Sequence, residues 1–285
     1  MLKIDSHQHY WRYEPAAFPW IAPGMAVLAQ DRAPADCPMQ SDGVTGSIAV
    51  QARTEAVETD FLLDLAAQHP SILGVVGWAD LASPALAAQL DGWAHQTKLR
   101  GFRHLLQDEP HVAQIVNNPK FRSGVALLQS RKLTYDVLVF AHQMPQVTDF
   151  CAAHDNHWLV LDHLGKPPLV RPGEMTAWAR SLQQLAALPH VVCKLSGLVT
   201  ETAGPYPSGL PAHVQQTVWD CFDTALEAFG PRRLLFGSDW PVCELAAPYP
   251  TVHQLAQAWA TKRLSHTEQA AFWAGNAIRC YGLNL

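Results

Sequence analysis

Residues 133–162, LTYDVLVFAHQMPQVTDFCAAHDNHWLVLD, contain the pattern that decides the fold. Residues 133–141 and 158–162 are short, continuous apolar runs, which is typical of strands buried on both faces of a parallel sheet. Residues 144–155 lie between them and are predicted to form a helix. A strand, a helix and a second strand in this order predict two parallel strands joined by a right-handed crossover.

The same alternation continues on both sides of this stretch. Further strands are predicted at residues 2–6, 46–51, 72–79, 99–103, 191–196 and 234–237. Further helices are predicted at residues 55–69, 84–96, 121–132, 174–188, 212–229, 249–263 and 267–279. Eight strands separated by helices favour an α/β protein, a single-domain (β/α)8 TIM-like barrel over residues 1–285, and no GxGxxG motif supports an open dinucleotide-binding sheet.

The first connection, residues 10–43, departs from this rhythm. It is long, contains five prolines, and carries a group of aromatic side chains: Tyr10, Trp11, Tyr13, Phe18 and Trp20. A loop of this length without regular structure is uncommon unless it serves a site. Two interpretations stay open, a cover for the rim of the barrel and a lid that excludes water from a site.

Composition excludes several classes of protein. The chain is 48% hydrophobic and 16% charged, as in a globular protein with a large core. Its net charge of −5, with no basic run longer than Arg232-Arg233, argues against a nucleic-acid or anionic-membrane partner. The six cysteines lack CxxC spacing, and Cys151, Cys193 and Cys221 are expected to be buried thiols. Without a signal pattern or an apolar run of about 18 residues, the expected location is cytoplasmic; the sequence carries no signal for an oligomeric state.

Histidines and an aspartate mark the ends of the first and last predicted strands. His7 and His9 are two positions apart, so on an extended strand their side chains point to the same side. The apolar run at residues 234–237 leads to Asp239 and stops at Pro241. If the first and last strands of the barrel are neighbours, the two imidazoles and this carboxylate face one space.

Other predicted strands also end in polar residues, and active sites of such barrels lie at these ends. The residues are Gln51, Arg53, Trp78, Asp80, Arg103, His104, His142, Asp162, His163, Lys194 and Ser196. Structural roles compete with functional ones: Asp239 could cap a helix, and the Arg53, Arg103 and Lys194 cations could form salt bridges at the rim. The remaining histidines lie on predicted helices or loops and are expected to be solvated.

Two chemical routes fit these residues. A neutral imidazole pair with a carboxylate can hold a divalent metal and leave a position open for water. Without a metal, Asp239 can act as a general base while histidines and cations polarise a carbonyl group. The pattern leaves both routes open. It disfavours serine or cysteine nucleophiles, because there is no GxSxG motif and no cysteine ends a predicted strand.

The ordered motifs resemble a known family. DxHxH on the first strand, histidines after the fifth and sixth, and aspartate after the eighth resemble the amidohydrolase superfamily. Four segments more closely resemble its amidohydrolase-2 lactonase branch, which includes sugar lactonases and a 2-pyrone-4,6-dicarboxylate lactonase: GFRHLLQDEP (101–110), VLDHLGKP (160–167), KLSG (194–197) and FGSDWPV (236–242). The similarity covers essentially the whole chain.

The resemblance implies a distorted barrel that hydrolyses a small-molecule, sugar-type lactone to the hydroxy acid. It implies Asp239 as the catalytic base, with His7, His9 and His163. The implied substrate-binding residues are Arg53, Arg103, His142, Lys194 and Trp240, and the implied metal ligands are His7, His9, His142 and Asp239. The implied cofactor is one zinc or other divalent ion rather than two, because Arg103 stands where relatives often hold a metal-bridging residue. Members of this branch that work without any metal make a metal-free site the alternative. Alternatives are a metal-dependent decarboxylase on the same barrel and a non-catalytic carbohydrate-binding barrel.

Overall fold

A computed structural model describes residues 1–284, and over this range eight parallel strands form one sheet in sequential order. The strands are β1 (Ile4–Gln8), β2 (Gly46–Val50), β3 (Ile72–Gly77), β4 (Leu99–His104), β5 (Thr134–Val137), β6 (Leu159–Leu161), β7 (Val191–Leu195) and β8 (Leu234–Phe236). Each strand pairs in parallel with the next. The predicted (β/α)8 barrel is confirmed.

The first and last strands meet and close the barrel. Gln8 forms a parallel bridge with Trp240, just beyond the end of β8. The buried Asp5 side chain strengthens this junction, because its Oδ1 accepts a hydrogen bond from the backbone N–H of Ser238 at 2.8 Å. Closure therefore aligns the end of β1 with the loop that follows β8.

Helices surround the sheet. They are α1 (Val57–Gln68), α2 (Leu86–Gly92), α3 (Val112–Val116), α4 (Pro119–Ser130), α5 (Met144–Ala152), α6 (Met175–Ala186), α7 (Ala212–Phe229), α8 (Tyr249–Arg263), α9 (His266–Ala270) and α10 (Asn276–Tyr281). The helix predicted at residues 267–279 is wrong in one respect, because a π-helical turn, Ala271–Gly275, separates α9 from α10. The short helix α3 has no counterpart in the prediction, since five residues are too few to show a helical period.

The inside of the barrel is apolar at the start of the strands and charged further along. Val160 and Val192 pack with Tyr281 of α10 in one buried cluster, so the C-terminal helix closes this end of the barrel. Two residues further along the same strands stand Asp162 and Lys194, both fully buried. An apolar plug therefore supports a charged layer, and the site described below lies beyond that layer.

The long first connection is folded rather than loose. Trp11, Phe18 and Leu28 form a separate buried cluster, which agrees with the interpretation that aromatics cover the rim. Trp20 donates from its indole Nε1 to the Ala52 carbonyl at 2.9 Å. Trp20 also lines the central cavity, so one part of this connection contributes to the site.

All six cysteines are free and buried, which confirms the expectation for Cys151, Cys193 and Cys221. Burial raises the pKa of the Cys151 thiol to about 12. His154 and His253, by contrast, were expected to be solvated but are buried: His253 lies on the inner face of α8, and His154, just after α5, is held by the Phe150 carbonyl 2.7 Å from its Nδ1. In the part of the chain that the structure describes, no helix has the length and apolar character needed to cross a membrane.

Candidate active site

Closure of the barrel brings the histidine pair and the late aspartate together. The Asp239 N–H donates to the His7 carbonyl at 2.9 Å, and the His9 N–H donates to the Trp240 carbonyl at 2.7 Å. Asp239 has a φ of 62°, a left-handed conformation that is uncommon for a residue with a side chain. The predicted meeting of His7, His9 and Asp239 is present in the structure.

Three ligand-type atoms converge at this point. His7 Nε2 is 3.2 Å from His9 Nε2. Oδ1 of Asp239 is 3.3 Å from His9 Nε2 and 3.7 Å from His7 Nε2. Ligands bound tetrahedrally to zinc at ~2.0–2.1 Å are themselves ~3.4 Å apart, so this spacing fits one divalent ion.

The contacts of the His7 and His9 rings bear on which nitrogen of each ring carries a proton. His9 Nδ1 is 2.8 Å from the Val50 carbonyl, which can only accept, so Nδ1 carries the proton and Nε2 has a free lone pair. Burial, followed by the charge of Lys194, lowers the pKa of His7 well below its ordinary value. His7 Nδ1 lies 3.0 Å from Lys194 Nζ, an ammonium that can only donate, and 3.4 Å from Asp162 Oδ1. The charged groups beneath the His7 ring therefore hold it in place.

His163 is the third imidazole beside Asp239. Its Nε2 is 3.9 Å from Asp239 Oδ1, and its Nδ1 is 2.9 Å from the Ser196 hydroxyl. Burial lowers the pKa of His163 to about 4, so the ring is neutral near pH 7. Burial alone raises the pKa of Asp239, but the neighbouring His163, His9 and His7 lower it below the ordinary value. Asp239 is therefore an ionised acceptor beside two imidazoles, those of His7 and His163, whose pKa values burial lowers.

A charged layer lies directly beneath this group. Arg103 Nη1 donates to Asp162 Oδ2 at 3.0 Å. Lys194 Nζ donates to Asp136 Oδ2 at 2.6 Å and lies 3.0 Å from Asp162 Oδ1. Burial raises the pKa of Asp136 to about 6, against the opposing charge of Lys194. Two carboxylates and two cations balance each other, and such pairing makes their burial tolerable.

Arg103 also limits what else the site can hold. Its Nη1 is 3.3 Å from His7 Nε2, and its Nη2 donates to the Gln51 side-chain oxygen at 3.1 Å. The guanidinium thus lies beside the same His7 nitrogen that faces His9 and Asp239, and its positive charge repels a second cation there. Ligand-type atoms of His7, Asp162 and His163 form a second group close enough for one ion, and this group shares His7 with the first.

A cavity of about 390 Å³ opens above these residues. Its volume suits a small ligand. One part of its wall is polar, formed by His9, Gln51, Arg103, Gln107, Asp108, His163, Lys166, Thr200, Glu201 and Asp239. The other part is apolar, formed by Trp20, Met25, Ala52, Leu105, Leu138, Val242 and Leu245.

Two predicted substrate-binding residues lie outside this cavity. Arg53 Nε donates to Glu58 at 2.9 Å, and the side chain lines a neighbouring groove instead. His142 is exposed and its ring stacks on Phe140 at 5.9 Å. Strand β5 ends at Val137, so the chain has left the barrel before it reaches His142, which also excludes His142 from the metal ligands.

Two others are buried and do not line the cavity. Lys194 is fully buried in the charged layer, because it lies within β7 and points into the barrel rather than at its rim. Trp240 is also fully buried, and its indole Nε1 donates to Glu244 at 2.9 Å. Of the five residues predicted to bind substrate, only Arg103 lines the cavity.

Some residues of the site carried no assigned role in the sequence analysis. Asp162 and Gln51 were noted at strand ends, yet their contacts with His7 and Arg103 need the closed barrel. Lys166 lies within the quoted VLDHLGKP segment, which could have marked it. Glu201 gave no signal, because it follows β7 in an irregular turn.

A barrel with a histidine pair on its first strand and an aspartate beyond its last, all facing one cavity, is the architecture of an amidohydrolase-type enzyme. The chain belongs to the amidohydrolase family, whose family model matches residues 4–283.

Similar proteins include two lactonases and one solved structure. The chain is 54% identical to an L-fucono-1,5-lactonase of Burkholderia multivorans, over 99% of this chain and 96% of the relative. It is 32% identical to an L-fucono-1,5-lactonase of Burkholderia ambifaria, with the same shares covered. A crystal structure of an amidohydrolase from Burkholderia multivorans with bound zinc superimposes with a TM-score of 0.96, at 53% identity and with both chains fully covered.

Proposed function

We propose that this chain is a lactonase that opens the ring ester of a sugar-type lactone, of the L-fucono-1,5-lactone kind, to the hydroxy acid. The observation that carries the proposal is the Asp239 carboxylate beside the imidazoles of His7, His9 and His163 at the floor of a cavity of about 390 Å³. The 54% identity to an L-fucono-1,5-lactonase over almost the whole chain supports the substrate class.

The chemistry begins with a water molecule positioned between Asp239 and the lactone carbonyl. Asp239 Oδ1, ionised at neutral pH, accepts a proton from this water as its oxygen attacks the carbonyl carbon. The Arg103 guanidinium, which lies close to His7 Nε2, contributes positive potential beneath the developing oxyanion. Collapse of the tetrahedral adduct breaks the ring C–O bond, and the proton passes from Asp239 to the departing alkoxide.

His7, His9 and Asp239 are the residues that would hold a divalent ion, with zinc proposed first. Their ligand atoms have suitable spacing, and a 53% identical amidohydrolase structure contains zinc. When bound, the ion would polarise the lactone carbonyl and lower the pKa of the attacking water. His163 lies outside this set and remains available to hydrogen-bond the substrate or the leaving oxygen.

A proton-release assay tests the proposal, because each lactone opened near pH 7 yields one carboxylate and one proton. We expect saturable turnover of L-fucono-1,5-lactone above the uncatalysed rate, recorded with a pH dye. Parallel reactions after treatment with a chelator, and after return of zinc, test the metal. Full activity after complete metal removal would show that the reaction needs no metal ion. Asp239 would then act as the base without a metal.

Two other results would contradict lactone hydrolysis itself. Release of carbon dioxide from an aromatic acid, with no lactone opened, would instead identify a decarboxylase. Saturable sugar binding with no product from any lactone would identify a non-catalytic barrel.

A further inference from the structure

The turn that follows β6 has an unusual backbone. His163, Leu164, Gly165 and Lys166 have φ values of 52°, 55°, 66° and 50°. Three of these four residues carry a side chain, and left-handed backbone is unfavourable for such residues. Conformations of this kind persist only where the surroundings hold them, and they concentrate at functional sites.

Contacts on both sides hold this turn. Leu164 is fully buried, and its carbonyl accepts a hydrogen bond from the Trp178 indole at 2.8 Å. A Cβ at Gly165 would lie 2.4 Å from Met144 Sδ, so a larger residue there would have to displace the buried Met144 side chain. As a result, His163 and Lys166 both line the cavity.

Lys166 retains capacity to bind a ligand. Its Nζ lies 3.6 Å from Glu201 Oε1, which is too long for a hydrogen bond, and 5.1 Å from the centre of the Phe140 ring. Arg103, the other cation of the cavity, already donates to Asp162 and Gln51. Lys166 is therefore the cavity cation best able to donate to a bound molecule.

Glu201 supplies an acceptor next to this donor. It ends the 3-10 turn Leu198–Glu201, which follows β7. This turn starts from Gly197, where a Cβ would lie 2.6 Å from His163 Nδ1, so the turns after β6 and β7 pack directly on each other. Burial raises the pKa of Glu201, and the charge of Lys166 opposes that rise. The result is an ammonium and a carboxylate side by side on one wall of the cavity.

We propose that Lys166 and Glu201 are substrate-recognition residues that bind neighbouring ring hydroxyl groups, the ammonium by donating to one and the carboxylate by accepting from another. This inference rests on the proposed lactonase function. A donor beside an acceptor suits a neutral polyhydroxylated lactone. A lactone with anionic substituents would be repelled by Glu201, Asp108 and Asp239, which all line the same cavity.

Kinetics of Lys166→Met and Glu201→Gln test the proposal. We expect KM for L-fucono-1,5-lactone to rise about 10- to 100-fold in each, as for loss of a hydrogen bond to a charged group, with kcat changed less than about threefold. For δ-valerolactone, which has no ring hydroxyls, the kcat/KM of each variant should match the kcat/KM of the wild-type enzyme. Lys166→Arg should recover part of the affinity.

Two controls separate recognition from damage to the fold. Lys132 is an exposed lysine with a φ of 60°, so Lys132→Met removes a similar left-handed side chain far from the cavity and should leave KM unchanged. Lys166→Gly removes the side chain together with the backbone strain, and its KM should rise like that of Lys166→Met. An unchanged KM in the Lys166 and Glu201 variants, or equal losses on both lactones, would overturn the proposal. No lactone turnover by the wild-type enzyme would instead overturn the proposed function.

Discussion

At the scale of single residues, the chemistry depends on how burial and neighbours set each charge. Burial lowers the pKa of His7 and of His163, and the contacts of Asp239 with its neighbouring histidines lower the pKa of this carboxyl group. An ionised carboxylate at this position can take a proton from water and pass it on. Residue type alone does not give this arrangement, because the eleven other histidines of the chain do not line the cavity.

Asp239→Asn tests the role of this acceptor. We expect kcat to fall by roughly 10²-fold or more, since the amide has nearly the same shape but cannot take the proton. Proton release from L-fucono-1,5-lactone measures the loss. Asp80→Asn, a change of an exposed aspartate shortly after β3, should keep full activity. Near-normal turnover in Asp239→Asn would remove Asp239 from the mechanism.

At the scale of elements, the turns after β6 and β7 act as one unit. Gly197 has a φ of 69° and packs against the His163 ring. This contact fixes the position in which His163 lines the cavity. No residue in the described strands has a positive φ, whereas several residues of these turns do. Function at this end of the barrel therefore depends on a few backbone positions rather than on the strands themselves.

Gly197→Ala should reduce kcat/KM by about 10- to 100-fold, because the added methyl displaces His163 from its position. Gly43→Ala is the matched control: Gly43 has a φ of 74°, and its Cβ would meet nothing within 4 Å. Both changes place alanine in left-handed backbone, so both should lower the free energy of unfolding by about 1–2 kcal/mol. Urea unfolding and lactone kinetics on both variants make the comparison, and equal activities would exclude the clash with His163.

At the scale of the whole molecule, α8 links the barrel to the N-terminus through a buried histidine. His253 is 5% exposed, and its Nε2 is 2.9 Å from Lys3 Nζ, while its Nδ1 is 3.6 Å from Asp42 Oδ1. Burial, and then the charge of Lys3, lower the pKa of His253 to about 4. Folding therefore holds this ring in its neutral form.

The pH dependence of stability follows from this burial. Between pH 6.5 and 4 the unfolded chain binds a proton at His253 and the folded chain does not, so acidification favours unfolding in this range. Relative to His253→Gln, the wild-type protein should lose stability as the pH falls from 6.5 to 4, by at most about 1.4 kcal/mol for each unit of pKa shift. Urea unfolding at several pH values measures the difference, and a constant difference across this range would contradict the buried neutral ring.

The sequence by itself determined the barrel, because apolar runs and helices are local patterns and parallel strands joined by right-handed crossovers leave few topologies. It also determined the pairing of His7 and His9 with Asp239, since closure makes the first and last strands neighbours. Only the tertiary structure decided which other polar residues reach the cavity. Arg53 and His142 turn away and Lys194 lies beneath it, whereas Lys166 and Glu201 enter it. The direction of a side chain after a strand depends on where pairing stops and on the handedness of the next turn, and both are set by distant contacts such as those of Gly165 with Met144.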